Sequence, residues 1–365
     1  MKDLDFFYQT PLKNIKFIDR KCYITRSKTL IIGNVGSGKT SMICEYLSAY
    51  KQEERLYINL KDMRCNANLL SNLKDFLLAN PNIKVLGVDN ISSQDEANTL
   101  KICSSLPQLQ GFLIATNNRD INLPNFNTLK LGYLDYEEFI LFFRKNLDEN
   151  MLFSHFLAHG TAVKCAFLDA SEVSEYLQNQ LKKELSQSAL NIIKECARKC
   201  GETMSVFEIY KTLKTQQKIS KDSVYTVLNE LERDGIITLL AKFNEPNVAK
   251  KLFFTNFAMR NALSAKKDFS STFANVILCE LSKFNDEIYY TKEFDFFLVK
   301  RKLALLCIPF TPSEIIFLKF KKLHQSLKKL GATKLQVISV TNSGELSIEG
   351  IKCEILPFSR WALGI

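Results

Sequence analysis

The stretch 32–40, IGNVGSGKT, lies between the short apolar run TLII at 29–32 and SMICEYLSAY at 41–50, whose apolar residues recur at helical spacing. An apolar strand, a glycine-dense turn and a helix, in that order, predict a loop that wraps phosphate. Gly33, Gly36 and Gly38 let main-chain N–H groups converge on anionic oxygens, and the helix adds the positive end of its dipole. The spacing assigns Gly33, Asn34, Val35, Gly36, Ser37, Gly38, Lys39, Thr40 and Ser41 to phosphate binding. Lys39 would reach the outer phosphates, and the Thr40 hydroxyl would serve magnesium.

An acid that organises the metal belongs at the end of a neighbouring buried strand. IKVLGVDN at 83–90 is a continuous apolar run of that kind and carries Asp89 at its end. Thr40 and Asp89 are therefore the candidate metal ligands. Asn90 follows, and an amide can orient water but has no useful basicity with which to take its proton. LYIN at 56–59 and GFLIATNN at 111–118 complete the rhythm of strands. The polar end of the latter offers Thr116 or Asn117 to a terminal phosphate or its attacking water, with Arg119 beside them. Lys39, Asp89, Asn90 and Asn117 are the candidate catalytic residues. LLSNLKDFLLAN at 69–80 and EANTLKICSSLPQ at 96–108 read as the intervening helices. The alternation predicts a parallel α/β domain with its ligand across the carboxyl ends of the strands.

The chain has 365 residues, enough for two or three domains, and its 46% apolar and 24% charged residues are the balance of a folded protein. The opening MKDLDFFYQT lacks a secretory pattern, and no uncharged apolar run reaches the roughly 18 residues of a membrane span. The expectation is a cytoplasmic protein with no membrane partner. The cysteines are scattered and read as small buried hydrophobes. Cys196 and Cys200, like His155 and His159, share a helix face but lack companions for a metal. Of the net charge of +10, residues 1–180 contribute nothing, with 20 basic and 20 acidic side chains; residues 181–365 carry 29 and 19. That excess fits either a DNA-contacting half or a solvated basic surface.

Residues 133–185 are helix-patterned from YEEFILFFRKNL onward, with Phe139, Phe142 and Phe143 read as core. Further on, VFEIYKTL and DSVYTVLNELERDG read as helices, the second capped by Ser220 and stopped by Gly235. IITLLAKF and KKLFFTNFA then form a hairpin, which makes the winged-helix plan. The outward positions Lys221, Asp222, Tyr225, Asn229 and Arg233 are mixed in charge, so the unit serves either a DNA groove or as a spacer between protein parts. TFANVILCELSKF reads as a helix and EIYYTKEFDFFLVKRKLALLCIPF as two paired strands, on which Glu293 and Asp295 share a face. With Glu280 they could form a carboxylate cluster for magnesium, although the next strand, 304–309, lacks the acid and lysine that a nuclease needs. EIIFLKFKKLHQSLKKLG is a basic amphipathic helix with Phe317, Phe320, Leu323, Leu327 and Leu330 as its seam, and KLQVISVT is a buried strand.

In order along the chain, GNVGSGKT (33–40), YINLKD (57–62), VDN (88–90), ATNN (115–118), LGYLDYEEF (131–139), HFLAHG (155–160), KKLFFTNFAMRNAL (250–263) and FDF (294–296) resemble one family. It is that of prokaryotic AAA-superfamily ATPases with a winged helix and a restriction-endonuclease-like carboxyl-terminal domain. The resemblance implies a P-loop ATPase α/β domain at 1–132, a helical lid at 133–185, a winged-helix domain at 186–263 and a small α/β nuclease-like domain at 264–365. It also implies ATP with Mg2+ as ligands and hydrolysis to ADP and phosphate. The chain departs from the family at three places. Asn90 stands where an acid is usual, INLPNFNTLK lacks the arginine of a Gly-Arg pair, and Cys307-Ile308-Pro309 replaces Glu-x-Lys. These departures predict slow turnover, no arginine finger across a ring, and no DNA cleavage, with DNA binding left open. Two functions of different class follow. One is a weak ATPase switching a basic, DNA-binding half at 181–365, with a homo-oligomer or protein partner. The other is a non-enzymatic DNA-binding or assembly module in which ATP is a structural ligand.

Overall fold

The computed structural model describes residues 2–66, 68–143 and 149–364. The tail of YEEFILFFRKNL, residues 144–147, lies outside them. The chain forms two compact units: Met1–Leu134 with Ala162–Lys164, and Asp135–Thr161 with Cys165–Ile365.

The first unit runs α1 (Lys2–Gln9), β1 (Lys28–Gly33), α2 (Lys39–Ser48), β2 (Arg55–Asn59), α3 (Leu73–Ala79), β3 (Val85–Ile91), α4 (Gln94–Lys101), β4 (Gly111–Thr116) and β5 (Asn127–Leu131). All strands are parallel, in the order β2-β3-β4-β1-β5. Successive side chains leave a strand on opposite faces, and the core divides accordingly. Leu30, Leu86, Val88, Phe112 and Ile114 pack into one apolar layer with Leu73, Phe76 and Leu77 of α3. Ile31, Val85, Leu113 and Ala115 pack into another with Met42, Ile43 and Leu47 of α2. Each such side chain removed from water contributes about 2 kcal/mol. Gly87 permits the close approach of α2 to β3, since a Cβ there would stand 2.6 Å from Ile43 Cγ2 and 2.8 Å from Leu47 Cδ1. The second layer therefore fixes how the loop ahead of α2 is presented.

The second unit opens with α5 (Tyr136–Phe143), α6 (Glu149–His159) and α7 (Ala170–Glu184). Phe139 is fully buried against Phe156, as its core assignment requires, while Phe142 and Phe143 are half-buried. His155 and His159 stack on each other, and both ring nitrogens of His159 lie beside main-chain carbonyls. Then come α8 (Gln187–Arg198), β6 (Thr203–Met204), α9 (Val206–Lys214), α10 (Lys221–Arg233), β7 (Ile237–Leu240), β8 (Lys250–Phe254) and α11 (Ala258–Leu263). β6, β8 and β7 form an antiparallel sheet in that order. Ser220 Oγ caps α10 by accepting the Ser223 N–H at 3.0 Å, and Gly235 takes the left-handed turn (φ 67°) that ends it.

The remainder is α12 (Phe269–Leu281), β9 (Ile288–Tyr289), β10 (Phe296–Leu298), β11 (Leu303–Cys307), α13 (Ser313–Leu330), β12 (Lys334–Ser339), β13 (Gly344–Ile348), β14 (Ile351–Pro357) and α14 (Phe358–Leu363). The mixed sheet has the order β13-β14-β12-β11-β10-β9. α13 buries Ile316, Phe320 and Leu327 against it, with Phe317, Leu323 and Leu330 at the margin. One expectation is corrected here. Glu293 and Asp295 do not share a strand face: they lie in the bend before β10, which begins only at Phe296.

Candidate phosphate-binding site

β1 ends at Gly33, and α2 begins at Lys39 after Gly38, so the expected loop lies between a buried strand and a helix amino terminus. The turn needs its glycines. Gly36 and Gly38 have φ of 85° and 97°, a region that residues with a Cβ enter at a cost. A Cβ on Gly33 would stand 2.3 Å from the Leu131 carbonyl oxygen. Lys39 is only 6% exposed, so its ammonium must be paired. Nζ donates to the Gly33 and Asn34 carbonyls, both at 2.8 Å. Thr40 and Ser41 follow in the first turn of α2, where main-chain N–H groups have no intrahelical acceptor.

Asp89 is fully buried at the end of β3. Its Oδ2 accepts from Thr40 Oγ1 at 2.5 Å and from Tyr57 Oη at 3.1 Å. Burial, with the Asp89 charge added to it, pushes the Tyr57 phenol well above its ordinary pKa, so Tyr57 stays a donor. Asp89 Oδ1, by contrast, is buried without a partner, as are Ser37 Oγ and Asn117 Oδ1. A buried polar atom left unpaired costs about 1–3 kcal/mol, so three of them on the loop and the neighbouring strand ends call for a polar ligand. A threonine hydroxyl touching a carboxylate that keeps one oxygen in reserve is a donor set suited to Mg2+. The residues therefore fit a magnesium–phosphate group.

Asn90 adopts φ 64°, and the pairing of β3 with β4 shifts register between Val88 and Ile91. This bulge re-aims the side chain, as bulges beside sites do. Asn90 Nδ2 donates to Asn59 Oδ1 at 2.9 Å. At the end of β4, Thr116 is occupied: it donates to the Ile91 carbonyl and accepts the Asn118 N–H. That leaves Asn117 as the residue of the pair with an uncommitted oxygen. Arg119, exposed on the following turn, donates from Nη2 to Asn34 Oδ1 at 2.9 Å and so stands against the loop.

Several participants carry no local sequence signal. Arg20 Nη1 donates to the Ser37 carbonyl, Tyr133 Oη to the Val35 carbonyl and the Val163 N–H to the Gly36 carbonyl. A cavity of about 220 Å³ adjoins the loop, lined by Phe17, Ile18, Asp19, Arg20, Tyr23 and Ile24 from the segment before β1 and by Met42, Glu45 and Tyr46 of α2. Tyr57 and Tyr133 fall within YINLKD and LGYLDYEEF, but neither stretch signals the contact its tyrosine makes.

The expected carboxylate cluster of the second unit is not assembled. Asp295 Oδ2 accepts the Cys307 N–H at 2.8 Å, and Lys251 Nζ lies 4.0 Å from its Oδ1. Glu280 is committed elsewhere: Oε1 accepts the Tyr136 N–H at 2.9 Å, and Oε2 pairs with Lys283. Among the described residues no group of three or more His, Cys, Asp or Glu side chains could hold a metal ion, and no helix is long and apolar enough to cross a membrane.

No protein-family model and no curated protein matches the chain. Solved structures similar to it include a Walker-type ATPase of Pyrococcus abyssi, at 13% identity and TM-score 0.45, over 66% of this chain and 91% of that one. A STAND (signal transduction ATPase with numerous domains) protein of Pyrococcus horikoshii with a tetratricopeptide repeat sensor matches at 14% and 0.31, over 76% and 47%. The ORC1 protein of Aeropyrum pernix, solved in complex with DNA, matches at 13% and 0.36, over 65% and 86%. The likeness is distant.

Proposed function

We propose that the chain binds ATP with Mg2+ in the loop formed by Gly33, Asn34, Val35, Gly36, Ser37, Gly38, Lys39, Thr40 and Ser41, and hydrolyses it slowly. The observation that carries this reading is the Asp89 carboxylate, one oxygen on Thr40 and the other buried without a partner. Thr40 and Asp89 hold the metal, which supplies positive charge to the outer phosphates. Lys39 exchanges its two carbonyl partners for phosphate oxygens. Asn117 orients water at the terminal phosphate, and Arg119 stands on Asn34 to meet developing charge. The nucleoside lies over the cavity beside Met42 and Arg20. Asn90 contributes orientation only, since its amide cannot accept a proton.

The nucleotide state then serves as a switch for the basic half of the chain, 181–365. In this reading 1–132 is the ATPase domain, 133–185 a lid, 186–263 a winged helix and 264–365 a nuclease-like domain without nuclease chemistry. Lys221, Asp222, Tyr225, Asn229 and Arg233 of α10 are exposed and offer a contact surface of mixed charge for DNA or a protein partner. A second reading, in which ATP is a structural ligand without turnover, is favoured by one observation: the Asn90 amide is already engaged by Asn59.

Calorimetric titration of Mg-ATP into wild type and Lys39→Ala tests the binding claim. Saturable uptake by wild type is expected, weakened at least about 100-fold in the variant by loss of a charge-assisted contact. Equal behaviour of the two proteins would end the proposal. Asn90→Asp then separates the two readings, because aspartate tolerates the left-handed torsion and restores a proton acceptor. Faster phosphate release supports the hobbled enzyme, and an unchanged null rate supports the structural ligand.

A further inference from the structure

Three consecutive carbonyls of the loop are held from outside it. Tyr133 Oη donates to the Val35 carbonyl at 2.9 Å, the Val163 N–H to that of Gly36 at 3.0 Å, and Arg20 Nη1 to that of Ser37 at 2.8 Å. A trans peptide points its N–H opposite to its C=O. Fixing these carbonyls outward therefore aims the N–H groups of Gly36 and Gly38 to the other side, where phosphate oxygens would sit; that of Ser37 is returned to the Asn34 carbonyl at 3.2 Å. Donors aimed beforehand need no reorganisation when the anion arrives.

The holders are not scattered over the unit. Arg20 Nη2 also donates to the carbonyls of Gly132 (2.9 Å) and Tyr133 (3.3 Å), so one guanidinium ties the loop to residues 132–133. The chain leaves the first unit directly after Leu134 and returns to it only for Ala162–Lys164. Tyr133 and Val163 thus stand at the passages between the units. Gly38 adds a packing contact to the same place, since a Cβ on it would lie 3.0 Å from Val163 Cγ2.

We infer that Tyr133 and Arg20 are positioning residues that couple the phosphate loop to the segments crossing into the second unit. Tyr133 Oη, the Arg20 guanidinium and the Val163 N–H pre-aim the loop donors. By the reciprocity of linked equilibria, filling the loop stiffens residues 132–134 and 162–164 and, through them, α5 and α6. Tyr133 does not line the cavity assigned to the nucleoside; Arg20 does, so for Arg20 the exchange difference rather than the affinity carries the test. The inference rests on the nucleotide reading above and adds where its signal leaves the site.

Hydrogen exchange of peptides within 135–143 and 149–161, with and without saturating Mg-ATP, tests this alongside calorimetric affinities. Wild type should exchange more slowly in both segments when nucleotide is bound. Tyr133→Phe keeps the ring and loses one hydrogen bond, so its affinity should fall roughly fivefold. At saturation its nucleotide-dependent protection of 135–143 and 149–161 should drop by more than half. Arg20→Lys, which cannot span three carbonyls, should behave alike. A purely structural role would change free and bound states equally and leave the difference intact. Uptake by wild type with unchanged exchange, or full protection in both variants, overturns the coupling alone. No uptake by wild type overturns the nucleotide reading and the coupling with it.

Discussion

Asp89 and Asp295 are both acids close to the strands of a sheet, and their surroundings treat them oppositely. Asp89 is fully buried, yet one of its oxygens has been left without a donor. Asp295 is about one-third exposed, takes a main-chain N–H on one oxygen and has a lysine near the other. Burying a carboxylate oxygen unpaired is costly and needs a compensating ligand; pairing it with backbone removes that need. An acid kept in reserve indicates chemistry, and an acid already satisfied indicates structure. The neighbours of Asp295 make the same point: burial, then the charge of Asp295 itself, raises the Cys307 thiol well above its ordinary pKa and keeps it un-ionised.

The contrast can be broken by substitution. The largest effect is expected at the reserved acid: Asp89→Asn should lower magnesium-dependent phosphate release by about 100-fold or more, in line with loss of a transition-state electrostatic partner. If Asp295→Asn did the same, the distinction would fail.

Next in size is Glu280, which belongs to the satisfied class but is almost completely buried. Burial pushes its carboxyl up to about 7, against the opposing pull of Lys283. The folded protein therefore holds this proton more tightly than the unfolded chain does. Stability from this group is full below the ordinary carboxylate range and is lost as pH rises through about 7. Between pH 4.5 and 8 the loss amounts to about 3 kcal/mol at 1.36 kcal/mol per unit. Chemical denaturation at several pH values should show that slope in wild type and a flatter one in Glu280→Gln, whose carbonyl still accepts the Tyr136 N–H. Parallel curves would remove Glu280 as the cause.

Smaller again is Gly38→Ala, which places a Cβ at φ 97° and 3.0 Å from Val163 Cγ2. About 1–2 kcal/mol of thermal or denaturant stability should be lost, through backbone strain. The smallest effect is expected of Asp295→Asn, with nucleotide affinity unchanged and stability altered by about 0.5 kcal/mol or less, as for a surface position.

What the sequence carries about the site follows the distance over which each contact acts. The loop residues are contiguous, so their spacing alone announces strand, turn and helix. Asp89 is legible because a fully buried parallel strand is an unbroken apolar run with one conspicuous acid near its end. The sense of Asn90 is not legible, because its torsion depends on a bulge between β3 and β4 that no local pattern encodes. The contacts of Arg20, Tyr133 and Val163 escape for another reason, even though Tyr133 lies within LGYLDYEEF: they meet the loop from 17, 98 and about 130 residues away, through main-chain carbonyls that have no residue type. In the second unit, alternation of Glu293, Phe294, Asp295 and Phe296 imitates a strand. The backbone instead spends 291–295 on a turn in which the Thr291 hydroxyl accepts the Glu293 and Phe294 N–H groups.

The torsion at Asn90 has a practical corollary for anyone wishing to speed this protein up. Installing glutamate there is two edits in one, because the longer acid would inherit a left-handed main chain, which costs it about 1–2 kcal/mol. It would also take the Asn90 amide donor away from Asn59 Oδ1, which would keep only the Lys61 N–H at 3.0 Å. Aspartate, which enters that torsion at lower cost, is therefore the cleaner acid to install at position 90, and a glutamate there would report on the main chain as much as on the added carboxylate.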